Sequence, residues 1–541
     1  MHGLMMNTPL LITSIMRHAE QNYPNREIVS VQADGSRHRY TYADAFRRAR
    51  RLANALQRLG LERGDRIATL AWNDHRHFEI YYATSCSGYV CHTINPRLFP
   101  EQIDYIVNHA EDRWIFTDPT FMPALENLQP SLPGVLGYVV LTDEAHMPDT
   151  NLANAVSYEK LIEQEPDAFE WPELDEYDAS GLCYTSGTTG NPKGVLYHHR
   201  AMVLHTYAAV MPDVFGLTNR DTVLPIVPMF HANAWGIPYL APMVGAKLVL
   251  PAGKGADPET LHALIEDEAV TMTAAVPTVW LALLAYLDKE GKRIDSLQRL
   301  VVGGAAPPLA LIKELEERYD VRVHPAWGMT EMSPLGTLNT PTAATAELTG
   351  AAKEALQVKA GRAVCGVEMR LVDDDDVELP WDGETSGRLL VRGPWVCSGY
   401  LKLDDSPAHT ADGWLDTGDV ATIDPNGFMQ VTDRTKDLVK SGGEWISSIE
   451  LENIIMAHAA VAEAAVIGVQ HPEWGERPLL VVVRKTGAKV DKDELLAFYE
   501  GKVAKWWIPD DVVFVDDLPH TATGKVSKLR LRQKLTDFRR D

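Results

Sequence analysis

At 541 residues the chain is longer than a single hydrophobic core usually supports, so two or more domains are expected. Charged residues make up 23% and hydrophobic residues 45%, an ordinary globular balance, while the formal net charge is −24. Such a charge excludes a general nucleic-acid or anionic-membrane binder, whose phosphate attraction needs Lys and Arg gathered over one face. Small anionic ligands remain possible, because they need only local positive groups and backbone N–H.

The N-terminus, Met1 to Arg17, lacks the charged, then apolar, then cleavable pattern of a secretion signal. No stretch reaches the about 18 apolar residues of a membrane span, so no integral membrane association is expected. Thr41 and Asp44 form a capping-box pattern, and Phe46, Ala49, Leu52, Ala53, Leu56 and Leu59 then recur at helical spacing. Gly60 ends that helix, and Arg66 to Trp72 reads as a short buried strand. This alternation predicts layered α/β structure rather than a bundle or a sandwich. The five cysteines, Cys86, Cys91, Cys183, Cys365 and Cys397, form no dense framework and fit reduced thiols in a cytoplasm.

From about Asp149 to Asp178 the sequence is acidic and poorly periodic, which predicts a surface connection. His198, His199 and His205 cluster in sequence, but no third ligand type accompanies them and His199 begins a helix, so no metal is expected there. The run Asp373–Asp376 reads as a solvated turn, because the alternating ligand spacing of a calcium loop is missing. Beyond Lys436 the texture changes: Val461–Val469, Pro478–Arg484 and Val512–Val515 read as strands and Asp491–Trp506 as an amphipathic helix. Residues 436 to 541 therefore suffice for a small α+β domain after a large one over 1 to 435.

The densest chemical signal is Thr185-Ser186-Gly187-Thr188-Thr189-Gly190-Asn191-Pro192-Lys193-Gly194, directly after the strand-like Leu182-Cys183-Tyr184. Its glycines let the backbone come close to a ligand and expose successive N–H groups, its hydroxyls add donors, and Lys193 adds charge. By composition it is a phosphate cradle. It is not the P-loop of kinases and GTPases, since Pro192 stands where the second Gly belongs and Lys193 is followed by Gly194.

This segment resembles the phosphate loop of the adenylate-forming superfamily, which includes acyl-CoA synthetases, luciferase-like enzymes and peptide-synthetase adenylation domains. Further motifs follow in that family's order as far as Lys525, so the resemblance covers essentially the whole chain. It implies an α/β fold with a large N-terminal domain of layered α/β subdomains and a small mobile α+β C-terminal domain. It also implies an AMP-forming acid–thiol ligase that uses ATP, Mg²⁺ and CoA, and a homodimer as in many similar enzymes. Ala326-Trp327-Gly328-Met329-Thr330-Glu331 is similar to the segment that holds adenine and α-phosphate, with Glu331 and Thr185 supplying hard oxygen ligands to Mg²⁺. Gly303-Gly304-Ala305 resembles the loop beneath the adenine and along the acyl channel, where Gly328 also lies.

By the same resemblance, Asp419 and Arg434 contact the ribose and Lys436 is the hinge about which the small domain pivots. Lys440 joins the nucleotide contacts, and Ser441-Gly442-Gly443-Glu444-Trp445 lines the passage for the pantetheine arm of CoA. Lys525 matches the catalytic lysine: as a carboxylate attacks the α-phosphate, charge grows on phosphoryl oxygens, and an ammonium aimed there lowers the barrier. Phe230-His231-Ala232-Asn233-Ala234-Trp235 looks like the gate motif of fatty-acyl-CoA synthetases, with His231 near the substrate carboxylate and Trp235 at the acyl tunnel. Phe230 and Trp235 read equally well as plain packing. Within the family the motifs are most similar to bacterial medium-chain fatty-acid and 3-methylmercaptopropionate CoA ligases. Two alternatives stay open: transfer to a carrier-protein thiol, although no carrier domain is expected after Lys525, and an inactive nucleotide-binding homologue.

Overall fold

A computed structural model describes residue 1 and residues 3–185, 191–441, 444–520 and 526–535, the side chains of 444 and 445 apart. The chain forms two compact units, Met1–Glu368 with Arg392–Pro407, and Met369–Val391 with Ala408–Asp541. That division follows packing.

The first unit is built on a nine-stranded and a seven-stranded sheet. In the larger one, Thr222–Pro225, Met272–Ala275, Arg299–Val302 and Arg322–Gly328 run parallel and in register. Their β-branched and aliphatic side chains pack with helices whose apolar faces include Leu261, Leu264, Ile265, Trp280, Leu283, Leu311 and Leu315, all buried. Thr222–Pro225, Met272–Ala275 and Arg299–Val302 are buried at every position, and parallel strands buried on both faces read as continuous apolar runs. In the smaller sheet Ala179–Tyr184 lies beside Val90–Thr93 and turns back, antiparallel, into Gly194–His198.

The helix expected after Thr41 spans Tyr42–Arg58, and Thr41 and Asp44 make both reciprocal bonds of the capping box. The expected strand at Arg66 is Arg66–Leu70. The stretch from Asp149 to Asp178 is only partly surface connection. It holds the strand Val156–Ser157 and the helix Tyr158–Ile162, whose Tyr158, Leu161 and Ile162 are buried. Glu159 there receives Arg48 Nη1 at 2.9 Å and Arg76 Nε at 2.8 Å, long-range pairing that no local periodicity could signal.

The second unit carries a four-stranded and a five-stranded sheet. The three expected strands appear as Val461–His471, Gly475–Arg484 and Asp511–Phe514. Alternation along them covers both faces: Val466, Leu480 and Val482 face one apolar cluster, and Ala465, Ile467, Leu479 and Val481 face another. The amphipathic helix expected over Asp491–Trp506 is corrected to Lys492–Ala497. Turns at Tyr499 to Lys502 interrupt it, with Gly501 at φ +73°, and Leu495 and Tyr499 supply the buried contacts. Asp373–Asp376 is the exposed turn expected, closed by the N–H groups of Asp375 and Val377 on Asp373 Oδ1, each at 2.9 Å.

Candidate active site

Three motifs scattered over about a hundred residues meet because their strands lie in one parallel array. The carboxyl ends of Thr222–Pro225, Arg299–Val302 and Arg322–Gly328 lead into Ile226–Trp235, Gly303–Ala305 and Met329–Glu331. Ligands of open α/β sheets bind outside such ends. The glycines here are set by contact. A Cβ on Gly328 would lie 2.0 Å from the Pro334 carbonyl oxygen, and one on Gly303 would lie 2.8 Å from Trp235 Cη2 and 3.3 Å from the Ala326 carbonyl oxygen. Gly304 takes φ +80° and, with Ala305, is exposed at the end of its strand. The Trp327 ring stacks over Gly336, where a Cβ would come within 2.5 Å. Met329 N–H donates to the Pro334 carbonyl at 3.0 Å and closes the turn that holds Thr330 and Glu331.

At the phosphate hairpin, Thr185 N–H donates to the Lys193 carbonyl at 2.9 Å, and Lys193 N–H donates to Thr185 Oγ1 at 3.2 Å. Ser186, Gly187, Thr188, Thr189 and Gly190 lie outside the described residues. Lys193 Nζ sits 4.9 Å from the Tyr400 ring centre, and the Tyr400 hydroxyl donates to Glu331 Oε1 at 2.9 Å. Burial first, and the Glu331 carboxylate among the further causes, push the Tyr400 phenol well above its ordinary range, so the hydroxyl keeps its proton and donates. Thr330 is fixed through its carbonyl by the buried Tyr197 hydroxyl at 2.7 Å. Glu331 and Thr185 offer a carboxylate and a hydroxyl, an all-oxygen donor pair that fits Mg²⁺. Among the described residues no group of three or more His, Cys, Asp or Glu gathers as a metal cluster. Mg²⁺ needs none, since it takes one or two carboxylates and fills its octahedron from phosphates and water.

The segment with His231 and Trp235 is held from behind. The Asn73 amide donates to the Pro225 and Val227 carbonyls, each at 2.9 Å, and its oxygen accepts Met229 N–H at 2.6 Å. The Tyr81 hydroxyl donates to the Met229 carbonyl and lies 3.3 Å from Asn233 Oδ1. Half-buried His231 donates its N–H to the Pro228 carbonyl at 3.1 Å. Ala232, Asn233, Ala234 and Trp235 then all take positive φ, between 44° and 55°. Left-handed backbone costs non-glycine residues about 1–2 kcal/mol each, strain that persists only where surrounding contacts over-determine it.

In the second unit Asp419 and Arg434 face each other across neighbouring antiparallel strands, with Arg434 Nε 3.3 Å from Asp419 Oδ1. Asp419 is buried, and its N–H donates to Thr417 Oγ1 at 3.1 Å. Lys436 follows in the next turn. Desolvation first, and Arg434 second, lower its ammonium from the ordinary lysine value, although the residue as a whole is exposed. Lys440 N–H donates to Glu476 Oε2 at 3.1 Å, and Ser441 Oγ accepts from Arg477 Nη1 at 3.1 Å. The strand Glu444–Ile446 pairs with Val439–Ser441, placing Trp445 opposite Lys440 and Glu444 opposite Ser441. Gly442, Gly443 and Lys525 lie outside the described residues.

The three histidines have structural work. His198 caps the helix His199–Ala209 by accepting Ala201 N–H at 2.8 Å, and His199 Nδ1 accepts Ile12 N–H at 3.2 Å. Burial holds His205 down at about 3, so it is neutral; its Nε2 accepts Leu335 N–H at 3.3 Å. Sequence reasoning missed Tyr400, Tyr197, Asn73 and Tyr81. Each reaches its partner from far along the chain, and Tyr400 is 69 residues from Glu331.

The fold and these motifs define a nucleotide-dependent ligase. The pattern of the AMP-binding enzyme matches residues 16–401, and that of the AMP-binding enzyme C-terminal domain matches 450–525. The chain belongs to the AMP-binding enzyme family, as an AMP-forming acid–thiol ligase that works with ATP, Mg²⁺ and CoA. It is 51% identical over 537 residues to a 3-methylmercaptopropionyl-CoA ligase of Ruegeria lacuscaerulensis, spanning 99% of both chains. To a medium-chain-fatty-acid–CoA ligase of Ectopseudomonas oleovorans it is 49% identical over 539 residues, 99% of this chain and 98% of the relative. A solved anthranilate CoA ligase in complex with anthranoyl-AMP matches with TM-score 0.87 at 26% identity, over 98% of this chain and 99% of that one.

Proposed function

We propose that the acid activated here is a slim, unbranched carboxylate, a short or medium-chain fatty acid or a thioether acid of the 3-methylmercaptopropionate type. The observation that carries this reading is the Trp235 indole packed against the bare backbone of Gly303 at the strand ends, where even a Cβ would come within 2.8 Å of the ring. Relatives named for both acids, each about half identical, point the same way.

In this reading Thr185 to Gly190 and Lys193 cradle the triphosphate. Gly303 to Ala305 and Ala326 to Thr330 hold adenine and the α-phosphate, and Asp419, Arg434, Lys436 and Lys440 serve the rest of the nucleotide. Glu331 and Thr185 hold Mg²⁺, which when bound neutralises charge on the phosphate oxygens. His231 and Trp235, with Gly303 and Gly328, border the acid. A carboxylate oxygen forms a bond to the α-phosphorus as pyrophosphate leaves, and Lys525 stabilises the charge that grows there. The thiol of CoA, led in along Ser441 to Trp445, then attacks the acyl carbonyl and AMP departs. Among the described residues no helix is long and apolar enough to cross a membrane. All five thiols are free, which supports a reducing, cytoplasmic setting. A homodimer is part of the proposal by resemblance alone and is read directly by light scattering.

The test is a panel of acids ranked by kcat/KM with CoA, from propionate-sized through long-chain, including thioether and aromatic acids. Slim acids of short to medium length should lead by tenfold or more. A preference for benzoate-like or branched acids would overturn the reading.

A further inference from the structure

The segment Trp395–Leu401 ties together two parts of the site that the sequence holds far apart. On one side the Trp395 indole N–H donates to the Leu335 carbonyl at 3.0 Å, and Cys397 N–H donates to the Glu331 carbonyl at 2.8 Å. On the other, Leu401 N–H donates to the Gly194 carbonyl at 2.8 Å, next to Lys193. Between these two anchors stands Tyr400, only 9% exposed. Its hydroxyl donates to Glu331 Oε1 at 2.9 Å, and its ring carries the Lys193 ammonium 4.9 Å from its centre. One side chain thus touches both the carboxylate and the cation that the proposed function assigns to the metal and the polyphosphate. The hydroxyl makes the first of these contacts and the ring the second, so substitution can separate them.

We propose that Tyr400 is a positioning residue that orients the Glu331 carboxylate for Mg²⁺ through its hydroxyl and steadies Lys193 at the phosphate loop through its ring. The inference rests on Glu331 being a metal ligand. Partners that orient a ligating carboxylate typically change metal affinity or activity about 10–100-fold when removed. A cation over an aromatic face adds a smaller, separate attraction.

The experiment compares Tyr400→Phe, Tyr400→Leu and Glu331→Gln in the full chain. Mn²⁺ binding in the presence of ATP is followed by electron paramagnetic resonance, and Mg²⁺ dependence by acid-dependent ATP–pyrophosphate exchange. Unfolding temperatures and the KM for acid are measured alongside. Tyr400→Phe should weaken metal binding about tenfold and leave the acid KM within about twofold, because the ring remains. Tyr400→Leu should weaken metal binding equally and, in addition, raise the KM for ATP. If Glu331→Gln weakens metal binding and Tyr400→Phe does not, the inference is overturned while the role of Glu331 stands. If Glu331→Gln leaves metal binding unchanged, the metal-ligand reading fails and takes the inference with it. A uniform loss of unfolding temperature and of every kinetic constant in Tyr400→Phe would reduce Tyr400 to a packing residue.

Discussion

Lys525 carries the sharpest chemical claim at the level of single residues. A carboxylate is a weak nucleophile, and its attack concentrates charge on phosphoryl oxygens, where a fixed ammonium acts without reorganising. Loss of one such donor costs on the order of a hundred- to a thousandfold. Lys525→Ala should therefore abolish acid-dependent ATP–pyrophosphate exchange yet still convert supplied acyl-AMP and CoA to thioester. Equal damage to the two half-reactions would refute that assignment. Glycines act at the same scale by leaving room: Gly328 and Gly303 are required where a carbonyl oxygen and an indole come too close for any Cβ.

At the scale of elements, a strained segment depends on a buried clamp. Asn73 supplies three hydrogen bonds to residues 225–229, and the left-handed turn of Ala232–Trp235 follows directly. Asn73→Leu keeps the volume and leaves buried backbone groups unpaired, each worth roughly 1–3 kcal/mol. The expected outcome is an acid KM raised about tenfold or more, from ~1.4 kcal/mol lost at the segment, with the KM for ATP little changed. Parallel loss toward both substrates would instead mark a general folding defect. The edge of the nine-stranded sheet offers a pH test. Burial pushes Glu268 up, but hydrogen bonds from Arg39 and Lys247 outweigh it and hold the carboxyl at about 2. A carboxyl lowered on folding contributes stability that is present above its unfolded pKa of about 4.3 and lost as pH falls through the folded value. Glu268→Gln should cost roughly 2 kcal/mol at pH 7, and the gap from wild type in urea unfolding should narrow between about pH 4.5 and pH 2. A gap that stays constant over that window would contradict the assignment.

For the molecule as a whole, the sequence made legible whatever is local or contiguous. The Thr41–Asp44 cap, the strands of the second unit and the run from Trp327 to Glu331 are all written in adjacent residues. Asp419 and Arg434, in separate motifs, are brought face to face by one antiparallel register. What stayed hidden depends on contacts between distant segments: Tyr400 on Glu331, Asn73 behind Met229, and the Arg48 and Arg76 pairing that draws Glu159 inward. The helix read over Asp491–Trp506 was cut short by turns that a hydrophobic pattern does not register. The proposed pivot at Lys436 concerns motion, so its test is kinetic. Lys436→Pro should spare acid-dependent pyrophosphate exchange and slow thioester formation at least tenfold, since a locked φ restricts the backbone change a hinge must absorb. Unchanged overall turnover would speak against a pivot there.

The most direct measurement is the product balance of the purified chain with ATP, Mg²⁺, CoA and octanoate or 3-methylmercaptopropionate. AMP, pyrophosphate and acyl-CoA should form in equal amounts, with pyrophosphate exchange persisting when CoA is withheld. Release of ADP and phosphate, or no AMP from either acid, would contradict the account.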